Sequence, residues 1–177
     1  AKITAGTLED SCVRDNNSSN GGAGVILSGA SAAVRRCRLF GNVSSQWGGA
    51  CRLENGVLEN SLLYGNKAVY GGGVYIQNGG GRVINCTSTG NTGSGADFDQ
   101  YYDTALVVTN CAMASVFYEK DVPNAGCYNT SGGKNGTKVS SFSSYFERLT
   151  LEPPLVSITR TLPVFLRSTP VSNCGFG

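Results

Sequence analysis

Short runs in which apolar and polar residues alternate recur along the first two thirds of the chain, and several of these runs end in Gly and Asn. Three of them read "AVRRCRLFGN" at 33–42, "VLENSLLYGN" at 57–66 and "RVINCTSTGN" at 82–91. Successive side chains of a strand point to opposite faces, so this short alternation predicts β-strands. The Gly and Asn residues predict tight turns between them.

The runs repeat at a nearly constant interval. Five segments align, at 8–16, 34–42, 58–66, 83–91 and 108–116, with central residues 25, 24, 25 and 25 positions apart. This period, without a helical repeat, predicts a parallel β-solenoid with coils of 24–25 residues and two or three strands per coil. Equivalent side chains should stack from coil to coil, and the central stack is Cys12, Cys37, Ser61, Cys86 and Cys111.

In the last three aligned segments, the residue directly before the central position is an asparagine: Asn60, Asn85 and Asn110. Asn tolerates left-handed backbone angles, so these residues are predicted to form a bend and to stack as a hydrogen-bonded ladder. Gly-Asn pairs follow the central position at a fixed offset and predict the next corner of the coil.

The first coil contains one residue that does not fit the predicted interior. Under this alignment Arg14 takes the position of Leu39 and Leu63, where an unpaired charge would be costly to bury. One interpretation is a frayed first coil, with Arg14 in water. The other is that Arg14 marks an end-to-end interface, where this end of the solenoid meets another chain or an upstream segment.

Composition excludes several classes of function. The chain contains no histidine, which removes mechanisms that use imidazole as base or metal ligand. A net charge of +2 is too small to indicate nucleic acid as a main partner, and no apolar run is long enough to span a membrane. Seven cysteines without a CxxC pair argue against a zinc site and favour an extracellular or periplasmic setting.

Two groups of side chains are candidates for binding. Asp97 and Asp99 are predicted to share a solvent-facing side, and with Asp103 they could contribute oxygen ligands to calcium. The favoured interpretation of these three residues is an ordinary polar outer face. The alternative is an aromatic contact for a sugar or a protein partner on one exposed corner. Its members would be Trp47, Tyr70 and Tyr75. No cofactor is predicted.

The stretch "GGGVYIQNGGGRVINCTSTGNT" at 71–92 resembles repeats of the pectin-lyase-like superfamily, which fold as single-stranded right-handed parallel β-helices. It is most similar to non-catalytic bacterial secreted and surface proteins with polymorphic outer-membrane-protein-like or adhesin-like repeats. The resemblance covers residues 5–116. The tail segments at 151–156 and 165–177 resemble the closing segments of such proteins.

This resemblance implies an all-β chain with β-helix coils over 1–116. The last coils and an irregular C-terminal cover would then occupy 117–177. Four prolines after residue 150 also favour an irregular path. Cys127 and Cys174, both in this tail, are the predicted disulfide pair.

The resemblance implies a secreted or cell-surface protein with a structural or adhesive role. Hydrolases of the superfamily carry an Asp trio with a Gly-His-Gly segment, and that segment cannot occur without histidine. The characteristic segments of its lyases are also missing. The expectation is therefore a non-enzymatic protein that binds itself end to end, as in a fibre, or other cell-surface components. The alternative is a β-helix that binds or cleaves a polysaccharide.

Overall fold

A computed structural model describes residues 1–77, 81–101, 106–109, 111–113, 116–118, 124–125, 128–129 and 137–138. These residues form only strands, turns and bends, and every strand pair is parallel. Within them there is no helix long and apolar enough to cross a membrane. The predicted all-β parallel solenoid is confirmed, with about four complete coils.

Each complete coil contains four short strands, where two or three were predicted. The first coil holds β1 (Lys2–Ile3), β2 (Gly6–Glu9), β3 (Cys12–Arg14) and β4 (Asn17–Ser18). The second holds β5 (Val25–Leu27), β6 (Ala32–Arg35), β7 (Arg38–Phe40) and β8 (Val43–Ser44). The third holds β9 (Cys51–Leu53), β10 (Val57–Glu59), β11 (Leu62–Tyr64) and β12 (Lys67–Tyr70).

The fourth coil holds β13 (Val74–Gln77), β14 (Gly81–Ile84), β15 (Thr87–Thr89) and β16 (Thr92–Ser94). The fifth begins with β17 (Phe98–Tyr101), β18 (Leu106–Thr109) and β19 (Ala112–Met113). Four further strands follow: β20 (Val116–Tyr118), β21 (Asn124–Ala125), β22 (Tyr128–Asn129) and β23 (Thr137–Lys138).

The strands stack into four parallel sheets, which we name A to D in the order in which a coil visits them. Sheet A begins with β1, β5, β9 and β13, and sheet B with β2, β6, β10 and β14. Sheet C begins with β3, β7, β11 and β15, and sheet D consists of β4, β8, β12 and β16. Because pairs join strands about one coil apart, each side chain lies over its equivalent in the next coil.

The core consists of columns of matched apolar side chains between the sheets. In sheet B, Leu58 pairs with Val34 on one side and Val83 on the other, and Val83 pairs with Val108. Leu39 and Leu63 form the equivalent column of sheet C. All six side chains are almost fully buried, so the interior is dry along these columns.

Two corners of each coil use left-handed backbone angles, as the sequence predicted. Asn60 has a φ of 51° and Asn85 one of 53°, and Asn85 Nδ2 donates to Asn60 Oδ1 at 3.1 Å. The next corner uses Gly41, Gly65 and Gly90, with φ between 62° and 65°. Asn110 lies outside the described residues, so its place in the outer ladder stays a prediction.

The predicted register of the first coil is wrong by one residue. Cys12 pairs with Arg38, so Ser11, not Cys12, lies over Cys37. The turn from sheet A to sheet B runs from Ile3 to Gly6 in the first coil but from Leu27 to Ala32 in the second. Paired residues of these two coils are therefore 24 positions apart in sheet A and 26 positions apart in sheet B. Cys12 is therefore not part of the inward column.

The same shift changes the position of Arg14. Arg14 pairs with Phe40 on the outer side of sheet C, and Val13 takes the inward position opposite Leu39. The Arg14 side chain is 52% exposed, and its guanidinium carbon lies 6.0 Å from the centre of the Phe40 ring. The sequence-based reason for an end-to-end interface at Arg14 is therefore removed, because no charge occupies the interior at this point.

Candidate functional site

The corner between sheets D and A brings together the aromatic residues that the sequence singled out. Trp47 forms parallel bridges with Gly21 in the coil before it and with Tyr70 in the coil after it. Trp47 and Tyr70 are therefore neighbours on one corner, as the sequence predicted. Tyr70 is 46% exposed and the adjacent Val69 is 51% exposed, so the two form an apolar ledge.

The ledge exists because this corner shortens from coil to coil. The segment Val43–Trp47 pairs with the shorter Lys67–Tyr70, which pairs in turn with the still shorter Thr92–Ser94. The corner of the fourth coil is therefore one residue shorter than that of the third. It leaves Val69 and Tyr70 of the third coil uncovered. A bulge between Lys67 and Tyr70 marks the extra residue, and bulges commonly redirect side chains in this way.

Trp47 holds the corner together from below the ledge. Its ring stacks on Tyr75 with 6.1 Å between centroids, and the guanidinium carbon of Arg52 lies 5.5 Å from the Trp47 ring centre. Arg52 Nη2 also lies 2.8 Å from Glu54 Oε1. These contacts tie three coils together, and they engage the Trp47 ring with side chains of its own protein.

The fold therefore brings the three predicted contact residues together, but only some of them are accessible to a partner. Tyr70 is available to a partner, whereas Tyr75 is 3% exposed and cannot be a contact residue. Tyr75 lies on the outer side of sheet A and stacks on Trp47, yet it is buried. The accessible apolar part of the corner consists of Tyr70 and Val69, and Lys67 beside them is also exposed.

The predicted acidic cluster does not form a shared solvent-facing side. Asp97 is 1% exposed and its Oδ1 accepts a hydrogen bond from Asn91 Nδ2 inside the coil at 2.7 Å. Asp99 lies on the opposite, outer side of its strand but is 2% exposed. Asp103 lies outside the described residues. Within the described ranges, no group of three or more His, Cys, Asp or Glu could hold a metal ion.

Asp99 is held in an unusual environment for a carboxyl group. Burial raises the pKa of Asp99 to about 6, and a hydrogen bond from the backbone of Gly71 opposes the increase. Its second oxygen, Oδ2, has no hydrogen-bond partner among the described residues. The carboxylate form is therefore disfavoured in the folded protein.

The sequence reasoning missed a buried amide ladder. The Asn of each Gly-Asn corner points into the coil, where Asn42, Asn66 and Asn91 are 0%, 1% and 7% exposed. Asn42 donates from its backbone N and its Nδ2 to Asn66 Oδ1, at 3.0 and 2.9 Å. Asn66 makes the same two bonds to Asn91 Oδ1, both at 2.9 Å.

The signal for this ladder was present in the sequence as asparagine at a fixed offset after a glycine. It was interpreted as a turn preference, which explains the glycine but not the asparagine. The second hydrogen of each amide shows why asparagine is required: Nδ2 of Asn42 donates to Val13 O and Nδ2 of Asn66 to Leu39 O, both at 2.9 Å. A side-chain amide satisfies buried backbone groups that no apolar residue could.

The central column of small side chains is present from the second coil onward. Cys37 N donates to Ser61 Oγ at 3.1 Å, and Cys86 N to Cys111 Sγ at 3.4 Å, one coil apart in each case. Cys37, Cys86 and Cys111 are free, buried thiols, and burial raises the pKa of the Cys37 thiol. Cys12 lies elsewhere and is disulfide-bonded. Cys127 and Cys174, the predicted disulfide pair, lie outside the described residues.

Ion pairs cover the outer side of sheet B and its corner with sheet C. Arg36 lies 2.9 Å from Glu9 and 2.7 Å from Asp10, and Arg35 lies 3.0 Å from Glu59. The Arg36 guanidinium lowers the pKa of Asp10 through a hydrogen bond and its charge. The pairs join successive coils and leave these carboxylates engaged with arginine.

No protein family, no curated protein and no solved structure that was compared with this chain matches it. The parallel β-solenoid is thus established by the geometry of the chain itself.

Proposed function

We propose that this chain is a non-enzymatic structural or adhesive β-helix of the pectin-lyase-like type, secreted or held at a cell surface. Its function would be to present rows of side chains on a rigid rod to another surface component. The observation that carries the proposal is the ledge of Val69 and Tyr70, which is exposed by a step in an otherwise regular wall.

Rigidity supports this role because a contact surface needs little ordering on binding when it is already fixed. The ledge is anchored from below by Trp47, which stacks on Tyr75, and by the buried amide ladder through the same coils. The backbone N of Tyr70 also donates to Gln46 O at 2.9 Å. Tyrosine is an efficient contact residue, since it supplies a large area with few rotatable bonds.

The second candidate function is the binding of a polysaccharide, and the side chains of the ledge favour this class of partner. A tyrosine ring and a valine beside an exposed lysine offer an apolar face and a hydrogen-bond donor at one place. The disulfide bond of Cys12 suits an extracellular setting, where such partners occur.

Replacing the ledge should weaken binding without unfolding the rod. We expect the double substitution Tyr70→Ala and Val69→Ser to weaken binding to an insoluble cell-wall polysaccharide or to a bacterial surface about tenfold or more. A loss of this size is typical when a residue at the centre of an interface is truncated. Sedimentation with insoluble polysaccharides and whole cells measures this. Val107→Ser is the matched control, because Val107 is 40% exposed on another sheet.

Two outcomes would contradict the proposal. Equal loss of binding in the Val107 control would show that the ledge is not the contact. Shortening of a polysaccharide by the purified chain, detected as new reducing ends or unsaturated products, would show that the protein is an enzyme.

A further inference from the structure

The asparagine ladder ends on a carboxylate rather than on another amide. Asn91 donates to Asp97 Oδ1 from its Nδ2 at 2.7 Å and from its backbone N at 3.4 Å. These are the same two bonds that Asn42 makes to Asn66 and Asn66 makes to Asn91. Asp97 therefore fills the place of the next amide in the ladder, although it comes from the start of the fifth coil.

The column to which Asp97 belongs explains how it can reach this place. The residue directly before each sheet A strand is Gly24, Ala50, Gly73 and then Asp97. A Cβ on Gly73 would lie 3.2 Å from Asn91 Nδ2 and 2.4 Å from Ser88 Oγ, and one on Gly24 would lie 3.3 Å from Asn42 Nδ2. Where a ladder amide is present, this column has no room for a long side chain. Asp97 is the first large residue in it.

The ladder has a direction. Every amide accepts at Oδ1 from the preceding coil and donates through Nδ2 to the following one, so the amide dipoles are aligned head to tail. The N–H end of this row points at Asp97. An anion at the positive end of aligned dipoles is stabilised, as at the first turn of a helix, and the effect is strong where water is excluded.

We propose that Asp97 is an anionic stop for the ladder. Its ionised carboxylate completes the amide chain, and its charge strengthens hydrogen bonds between amides that it does not touch. A carboxylate has no N–H to pass on, so the ladder cannot continue beyond it. Ser88 Oγ donates to the Asp97 backbone O at 2.9 Å and accepts from Asn91 Nδ2 at 3.0 Å, which holds the junction in place.

Two measurements on the full chain test the proposal. Carbon-13 NMR of the side-chain carboxyl groups at pH 7 should show Asp97 as the ionised form, and a protonated carboxyl would overturn the proposal. In Asp97→Asn, hydrogen exchange of the Asn42 backbone N–H should accelerate about threefold relative to that of Cys37, a loss typical of coupled bonds.

Cys37 is the matched internal control for this comparison. Both backbone amides lie in the second coil and donate to a side-chain oxygen of the third, Asn42 to Asn66 and Cys37 to Ser61. Global destabilisation changes both exchange rates together, whereas loss of the charge acts on the ladder alone. An unchanged ratio would overturn the coupling, and if Asp97→Asn does not fold, the NMR result on the unmodified chain decides.

Discussion

Asn66→Ala should lower the free energy of unfolding by about 4 kcal/mol, because each buried donor left without an acceptor costs about 1–3 kcal/mol. The substitution removes the acceptor for two donors of Asn42, its backbone N and its Nδ2. It also removes the Nδ2 donor to Leu39 O. Asn66 is 1% exposed, so water cannot replace these bonds without opening the coil.

Urea denaturation followed by circular dichroism measures this effect. Asn17→Ala is the matched control, since Asn17 is exposed and its loss should change stability by less than about 0.5 kcal/mol. If the two substitutions cost the same, the ladder does not stabilise the fold. A small effect of Asn66→Ala would also remove the physical basis for treating the corner asparagines as interior residues.

Asp99→Asn should stabilise the protein above pH 6 and have little effect near pH 4. The folded-state pKa of about 6 exceeds the ordinary value of 3.8, so the folded protein binds the proton more tightly than the unfolded chain. The contribution of Asp99 to stability is thus largest below about pH 4 and is lost as the pH rises to about 6. A difference of about two pKa units corresponds to about 3 kcal/mol.

The test is the difference in unfolding free energy between Asp99→Asn and the unmodified protein at pH 4, 5, 6 and 7.5. Taking the difference removes the contribution of the other carboxyl groups. Asp10→Asn is a control of opposite sign, because Arg36 lowers the pKa of Asp10 and its contribution is lost as the pH falls. A difference for Asp99 that does not vary with pH would exclude a raised pKa.

The coil period and the direction of most side chains could be predicted from the sequence. Stacking forces equivalent residues to match, so columns such as Val34, Leu58 and Val83 were recognisable as repeated letters. The left-handed corner at Asn60 and Asn85 was predictable for the same reason, since few residues adopt that conformation. A repeat makes local propensity and global fold agree, which is why the fold was accessible.

The errors arose where coil length changes or where one residue type has two roles. A longer turn before β6 moved the first coil by one residue, which placed Cys12 and Arg14 on the wrong side. The corner asparagines satisfied a turn rule, so their inward amides were overlooked. Alternation alone cannot show that Tyr75 or Asp99 is buried, because it defines a face but not what covers that face.

The position of Asn42 has a consequence for how the protein can be made. Asn42-Val43-Ser44 is an acceptor sequence for N-linked oligosaccharide, which is attached through the same Nδ2 that donates to Asn66 and Val13. A sugar added during secretion by a eukaryotic cell would keep that nitrogen outside and prevent the second coil from closing. Asn17-Ser18-Ser19 lies on the surface and could carry the same modification harmlessly. Production in a eukaryotic secretory pathway should therefore yield misfolded chains. Ser44→Ala, which removes the acceptor sequence, should restore the yield of folded protein.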